Sequence, residues 1–325
     1  MNHTSSLATA SLFSLLAATV PAQVFTETFS SPNGPIVPGW TPQTGSWQIQ
    51  NGRLSATSGA VWSYITKDNL SATRSVIDGE FFFVGAGVQF AGLTSRHPGS
   101  GSGTNLLMVK IQNNGGLADF DRVFAYEQPG GANYTDIPGG TVAAFCRMVT
   151  LGNEFWIEVD ADRDGDYELV QTPRPITIGL PGTLVGMNGY QTSEMDNFEF
   201  FDAVLLPQPG ATARVGLNYD MRLATPAPLV PWFGMIALGN QGFSVGGGRT
   251  IPVSPDFIAT ATFADPNLGL IGVTDANGDA ALSIPVPPFP FLIGLRLFAA
   301  AFTFDATQQY GVGNISNEQA FIIQP

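Results

Sequence analysis

An all-β fold is predicted for this chain from three observations. Glycine and proline are frequent, 38 and 24 of 325 residues, while charged residues make up only 12%; such a composition disfavours long helices and favours short strands joined by turns. Apolar and polar residues alternate with period two over short runs, the pattern of half-buried strands. Clusters of Gly, Pro and Asn separate those runs at the spacing of β-sandwiches.

Taken in order, residues 1–22 read as a secretory signal, because an apolar stretch from Leu12 to Val20 ends in Val20-Pro21-Ala22, with small residues at the cleavage site. Export to the medium or the cell surface is expected. The mature chain then divides into a domain at 23–206, a Pro/Gly-rich linker at 207–213 and a second domain at 214–325. In the first domain the alternating runs predict strands at 47–49, 61–66, 80–84, 105–112, 122–127, 142–151, 155–162 and 167–171, with closing strands at 183–190 and 197–206. Asn113-Asn114-Gly115-Gly116 supplies a hairpin turn. In the second domain strands are predicted at 235–238, 258–263, 280–285, 294–304 and 320–323, with a second turn at Asn277-Gly278. The apolar run 286–304 contains Pro287, Pro288, Pro290 and Arg296, so buried strands are expected there rather than a membrane span.

Charge excludes several functions. The 26 acidic residues outnumber 13 basic ones, only two of which (Lys67 and Lys110) are lysine, so neither nucleic acid nor an anionic membrane is an expected partner. Cys146 is the only cysteine, which rules out an internal disulfide and suits a buried structural thiol. Only His97 follows the signal segment, so a His-ligated zinc site is excluded. Gly242-Phe-Ser244-Val-Gly246 has nucleophile-elbow spacing, but no His follows it and Gly246-Gly247-Gly248 is no helix start. His97 and Arg96 lie in a polar, glycine-rich stretch, where a loop at the end of a sandwich would offer ligand contacts.

Chemistry concentrates in the run from Trp156 to Glu168, where Glu158, Asp160, Asp162, Asp164, Asp166 and Glu168 place six carboxylates within eleven residues. A purely structural reading is a hairpin: Phe155, Ile157, Val159 and Ala161 face a core, Trp156, Glu158, Asp160 and Asp162 face outward, and Arg163-Asp164-Gly165-Asp166 turns. A calcium reading puts Asp160, Asp162 and Asp164 at alternate loop positions, Gly165 at the turning position and Glu168 three residues on, but Gln171 replaces the final bidentate carboxylate. For sugar binding, an exposed aromatic face is needed, and the candidates are Trp62, Tyr64 and Trp156, the last sharing its face with Glu158 and Asp160.

The first domain resembles the concanavalin A-like (laminin G-like) jelly rolls of secreted bacterial proteins. Phe25-Thr-Glu27-Thr-Phe29 leading to Gly39-Trp40, then Gly45-Ser-Trp47-Gln-Ile49-Gln-Asn51-Gly52-Arg-Leu54, and finally Met195-Asp196-Asn197-Phe198-Glu-Phe200 carry that resemblance. It implies that the first and last strands pair, and that Glu27 and Asp196 approach one another where some relatives hold a structural calcium. Glu158-Val-Asp160-Ala-Asp162 also imitates the Glu-x-Asp-x-Glu strand of laminarinase-like enzymes, with Asp in place of the final Glu, which makes hydrolysis through Glu158 and Asp162, with Asp160 between them, the enzymatic alternative. The second domain is similar to a C-terminal module of exported planctomycete proteins, through Thr274-Asp275-Ala-Asn277-Gly278, Ile293-Gly294-Leu-Arg-Leu297 and Ser316-Asn317-Glu-Gln319-Ala-Phe321; that likeness implies a small β-sandwich.

The expectation is thus a secreted two-domain protein, a jelly roll followed by a smaller sandwich, acting as a noncatalytic binding or adhesion module for extracellular polysaccharide or a cell-surface protein. A glycoside hydrolase and a structural surface-layer component are the alternatives. No cofactor is required, and calcium is the metal that the carboxylates suit.

Overall fold

A computed structural model describes residues 24–325, apart from 58, 60, 72, 86, 100–104, 114–118, 166, 168, 181, 266, 267 and 269. The signal segment, the turn at 114–116, Asp166 and Glu168 lie outside the described residues. Two antiparallel sheets form a jelly-roll sandwich. One has seven strands in the order Ala132–Thr141, Phe120–Gln128, Leu106–Gln112, Phe90–His97, Leu184–Tyr190, Trp62–Ser71 and Trp40–Thr44. The other is built around Glu154–Asp160, Ala143–Leu151, Ser75–Phe82, Glu194–Phe201, Arg53–Ala56 and Trp47–Gln50. Val24–Glu27 pairs with Glu194–Phe201, so the first and last strands meet as the resemblance implied.

The pleat sorts side chains by parity. Ile65, Leu93, Val109 and Val123 point from the first sheet into the core, where they meet Ile77, Met148, Ile157 and Phe200 from the second. Phe155, Ile157 and Val159 are core residues, and Cys146 is a buried free thiol among them. Trp40 and Trp47 close the core near Phe25, Phe29 and Phe198, with the Trp40 and Phe198 rings edge to face at 4.9 Å.

From Val204 onward the chain builds further sheets. Val204–Pro207, Asn218–Ala224 and Asp279–Pro285 form one; Pro231–Ala237 and Arg296–Phe304 lead another with Ile271–Val273, Val312–Ile315 and Gln319–Ile322. Tyr219, Met221 and Leu282 pack against Trp232, Ile236 and Leu297 between them. The alternate residues Phe233, Met235, Ala300 and Phe302 belong to a cluster with Val76, Val149, Trp156 and Phe201. The outer face of the jelly roll's second sheet is therefore covered by the C-terminal strands.

Two local expectations change, and one strand is added. Residues 258–263, read as a strand from their alternation of Thr with apolar residues, are part of the helix Phe257–Ala264. Asp256 caps it by accepting from the backbone N–H groups of Ile258 and Ala259 at 2.9 and 3.0 Å, a local signal that outweighs the alternation. Phe90–His97, expected to run into a loop, is a strand through Arg96 and His97. Within it a Cβ at Gly92 would sit 2.0 Å from the Val109 carbonyl oxygen, so the absence of a side chain permits the strand's close approach. Ala132–Thr141, which has Pro138 and two glycines, forms the edge strand of its sheet.

At the covered face, strand register dictates the electrostatics. Glu158 lies opposite Arg147, Arg147 opposite Asp78, and Asp78 opposite Glu199. Arg147 donates from Nε and Nη2 to both Asp78 carboxylate oxygens at 2.9 and 2.8 Å, and also to the Glu318 Oε1 at 3.2 Å. Burial opposes the Arg147 charge, but Asp78, Tyr167 and Glu318 more than offset it, so its pKa rises. Burial, reinforced by Glu318 and Asp78, pushes Glu199 up to about 8. Burial likewise raises Glu158 and Glu318, with Arg147 opposing.

Arg147→Ala is expected to cost about 3–5 kcal/mol in denaturant unfolding, because Asp78 and Glu318 would keep buried charge without a cation. A loss below about 1 kcal/mol would contradict this account of the interface. Glu199 keeps a proton in the folded state that the unfolded state, with a pKa of 4.5, releases. Its contribution is thus full at low pH and is lost as pH rises through about 8. Thermal melts across that range should show stability falling with pH, and Glu199→Gln should flatten the slope; parallel curves for the two proteins would refute the assignment.

Candidate functional site

The outer face of the seven-stranded sheet is the one that, among the described residues, the C-terminal strands leave uncovered. Register places three cross-strand rows on it: Trp62, Tyr190, Phe90, Gln112 and Arg122; then Tyr64, Asn188, Gly92, Lys110, Phe124 and Tyr134; then Thr66, Gly186, Thr94, Met108 and Tyr126. Trp62 is 37% exposed and Tyr134 59%, whereas Tyr64 is buried. The Trp62 ring lies 6.5 Å from Tyr64 and 4.6 Å from Phe90, and Phe90 stacks on Tyr190 at 5.2 Å. In this row Trp62 and Tyr190 are accessible and the buried Phe90 ring packs against both, with Gln112 and the Arg122–Asp136 pair at the margin.

Lys110 stands at the centre. Its Nζ is 4.2 Å from the Phe90 ring centroid, 4.7 Å from Trp62 and 4.9 Å from Phe124, and donates to the Gln112 Oε1 at 2.7 Å. Burial lowers its pKa to about 8. Sequence reasoning singled out Trp62 and Tyr64 and missed Phe90, Lys110, Phe124 and Tyr190. The period-two pattern contains the signal for Lys110 and Phe124, since each is flanked by core residues.

His97 and Arg96 depart from the expected solvated loop. His97 is fully buried, with its ring 5.8 Å from Tyr64 and its Nδ1 accepting from the Gly99 N–H at 3.0 Å. Burial holds it near pKa 4, so it is neutral at ordinary pH. Arg96 has a left-handed backbone (φ 54°) and sends its Nη2 to the carbonyls of Thr73 and Gly152 at 3.3 and 3.0 Å, where it ties strand ends together.

Trp156 and Glu158 point outward from their sheet, as the pleat required, but do not face water. They are 6% and 8% exposed because the C-terminal strands cover them, and the indole Nε1 donates to Glu158 Oε1 at 2.9 Å. Together with Arg147, Tyr167, Leu206 and Glu318 they line a cavity of about 600 Å³ between the sheets. Asp162 is instead exposed at the turn. Glu158 and Asp162, the alternative catalytic pair, thus occupy different surroundings.

The turn gathers Asp160, Asp162 and Asp164, with one carboxylate oxygen of each within 4.8 Å of the others. Asp160 already accepts from the N–H groups of Arg163 and Gly165 at 2.5 and 2.8 Å. These bonds shape the loop and leave other lone pairs on the carboxylate, so the donor set fits a hard cation. Asp196 lies near Glu80 and Glu27, and burial raises its pKa ahead of those like charges. Among the described residues, Glu27 and Asp196 belong to no comparable three-carboxylate group.

No family model and no curated protein matches the chain. Among solved structures it is similar to the carbohydrate-binding module CBM66 from Bacillus subtilis, at 17% identity over 51% of this chain and 98% of that one, with a TM-score of 0.38. It is also similar to a Bacillus licheniformis beta-glucanase, at 12% identity over 55% and 97% of the two chains, with a TM-score of 0.37. A third similarity, at 11% identity over 51% and 83% with a TM-score of 0.36, is to the VIP36 exoplasmic/lumenal domain in its Ca2+/Man-bound form. The likeness is one of jelly-roll β-sandwich architecture and carries no activity with it.

Proposed function

We propose that this chain is an exported, noncatalytic glycan-binding or adhesion protein, with 23–206 as the binding domain and 214–325 as the module that covers its other face. The observation that supports this reading is the aromatic row on the outer face of the seven-stranded sheet, in which Trp62 is the most accessible ring. Sugar rings offer C–H faces that stack on aromatic surfaces and hydroxyl groups that pair with planar polar side chains. Trp62 supplies the first and Gln112, Arg122 and Asp136 the second. Hydrolysis through Glu158 and Asp162 is less favoured, because two carboxyls must flank one glycosidic bond, and here one lies in the cavity between sheets while the other lies at an exposed turn.

A second reading concerns metal: Asp160, Asp162 and Asp164 hold a structural Ca2+. Three neighbouring carboxylates repel one another, and a divalent cation would relieve that repulsion.

Trp62→Ala is expected to weaken retention on an immobilised polysaccharide at least tenfold, equivalent to about 1.4 kcal/mol, in a variant whose melting curve shows that it still folds. Equal retention of both proteins would remove Trp62 from the site. For the metal, addition of CaCl2 to EGTA-treated protein should raise the melting temperature, as any ligand of the native state does. No shift at millimolar calcium, or an equal shift in an Asp162→Asn/Asp164→Asn variant, would dismiss that reading.

A further inference from the structure

Lys110 is an unusual presence on the open face. In the three central rows the charged residues are Lys110, Arg122 and Asp136, and the last two pair with each other at 2.9 Å. None of the ion pairs among the described residues includes Lys110. It is only 6% exposed. A charge so enclosed ordinarily acquires a counterion from the protein. Among the described residues the ammonium has one oxygen acceptor, Gln112 Oε1, and three aromatic rings. An ammonium has three N–H donors, and ring faces attract it without neutralising it. The lowering of its pKa to about 8 by burial reflects the same lack of a carboxylate.

We propose that the glycan recognised by this face is anionic, with a carboxylate or sulfate group of the sugar serving as the counterion of Lys110. This rests on the glycan-binding reading above and adds the ligand's charge class. Trp62, which forms one wall of the Lys110 cage and is the most exposed of its three rings, places a sugar ring that stacks on it beside the ammonium. The protein's formal net charge of −13 repels polyanions in general. Selective uptake of an acidic polymer therefore needs a local cation without an acidic partner, and Lys110 meets that requirement.

The test uses the full mature chain on immobilised alginate (carboxylated), carrageenan (sulfated) and laminarin (neutral). Stronger retention on one or both anionic polymers than on laminarin is expected. Lys110→Met should abolish that preference, at least tenfold in affinity, while Lys110→Arg retains much of it. A melting curve establishes that the variants fold. Should Lys110→Met not fold, competition on the wild type by free glucuronate or glucose sulfate against free glucose replaces it, and only the charged sugars should displace the polymer. Equal binding of neutral and anionic polymers, or a preference that survives Lys110→Met, would overturn the anionic class and leave glycan binding standing. Binding to none of the three and to no other saccharide on a glycan array would overturn the glycan-binding reading itself. Alginate against carrageenan identifies which anion supplies the charge.

Discussion

The architecture depends on one guanidinium. Arg147 is the cation in a cross-strand row that runs Glu158, Arg147, Asp78, Glu199, and Glu318 joins it from the C-terminal strands. Without Arg147 the row would gather carboxylates under an apolar cover, an arrangement tolerable only with several of them protonated. With it, Asp78 is held through both oxygens and Glu318 is drawn onto the sheet. A buried pair of this kind is weak as a source of net stability, since desolvation offsets the attraction. Its stronger effect is on register. A one-residue slip of Ala143–Leu151 would turn Arg147 into the core and bring Cys146 and Met148 out to face the carboxylates.

That constraint also divides the molecule into a closed face and an open one. Once Glu318 is anchored, the row Trp156, Val149, Val76 and Phe201 packs against Phe233, Met235 and Phe302 from the C-terminal sheet. The jelly roll's second sheet is thus apolar or ion-paired on both sides. Its remaining freedom lies in the cavity lined by Trp156 and Glu158. Among the described residues no C-terminal strand covers Trp62, Tyr190 and Phe124 of the seven-stranded sheet, and this is the face that the proposed ligand would meet.

Much of this was legible in the sequence. Period-two patterning separated Phe155, Ile157 and Val159 from Trp156 and Glu158, and the pleat bears out that separation. What local pattern could not supply was whether an outward side chain meets water, because the strands that cover Trp156 come more than fifty residues later. The same limit explains His97, whose glycine-rich flank reads as a loop although its ring is enclosed beside Tyr64. The helix at Phe257–Ala264 escaped for a different reason: an Asp cap is one residue, and alternation over six residues speaks louder. Lys110 was visible as one of two lysines, within the apolar run Leu106-Leu-Met-Val-Lys110-Ile111, but its aromatic surroundings arise from three other strands, the preceding one (Phe90), the following one (Phe124) and the more distant Trp62–Ser71.

The two faces treat charge in opposite ways, and this bears on how the open one would work. On the closed face, carboxylates outnumber the cation, and hydrogen bonds within the protein fix Arg147 from several sides. On the other face, among the described residues, Lys110 stands without an acid, and rings rather than ions fix it. A free lysine side chain loses up to about 2 kcal/mol of rotamer entropy when immobilised. Phe90, Trp62 and Phe124 impose that restriction during folding, so the ammonium is already in place before any ligand arrives. The rings that restrain Lys110 include the surface on which a sugar would stack. Stacking and charge recognition are therefore geometrically coupled, and a ligand that satisfies one is directed toward the other.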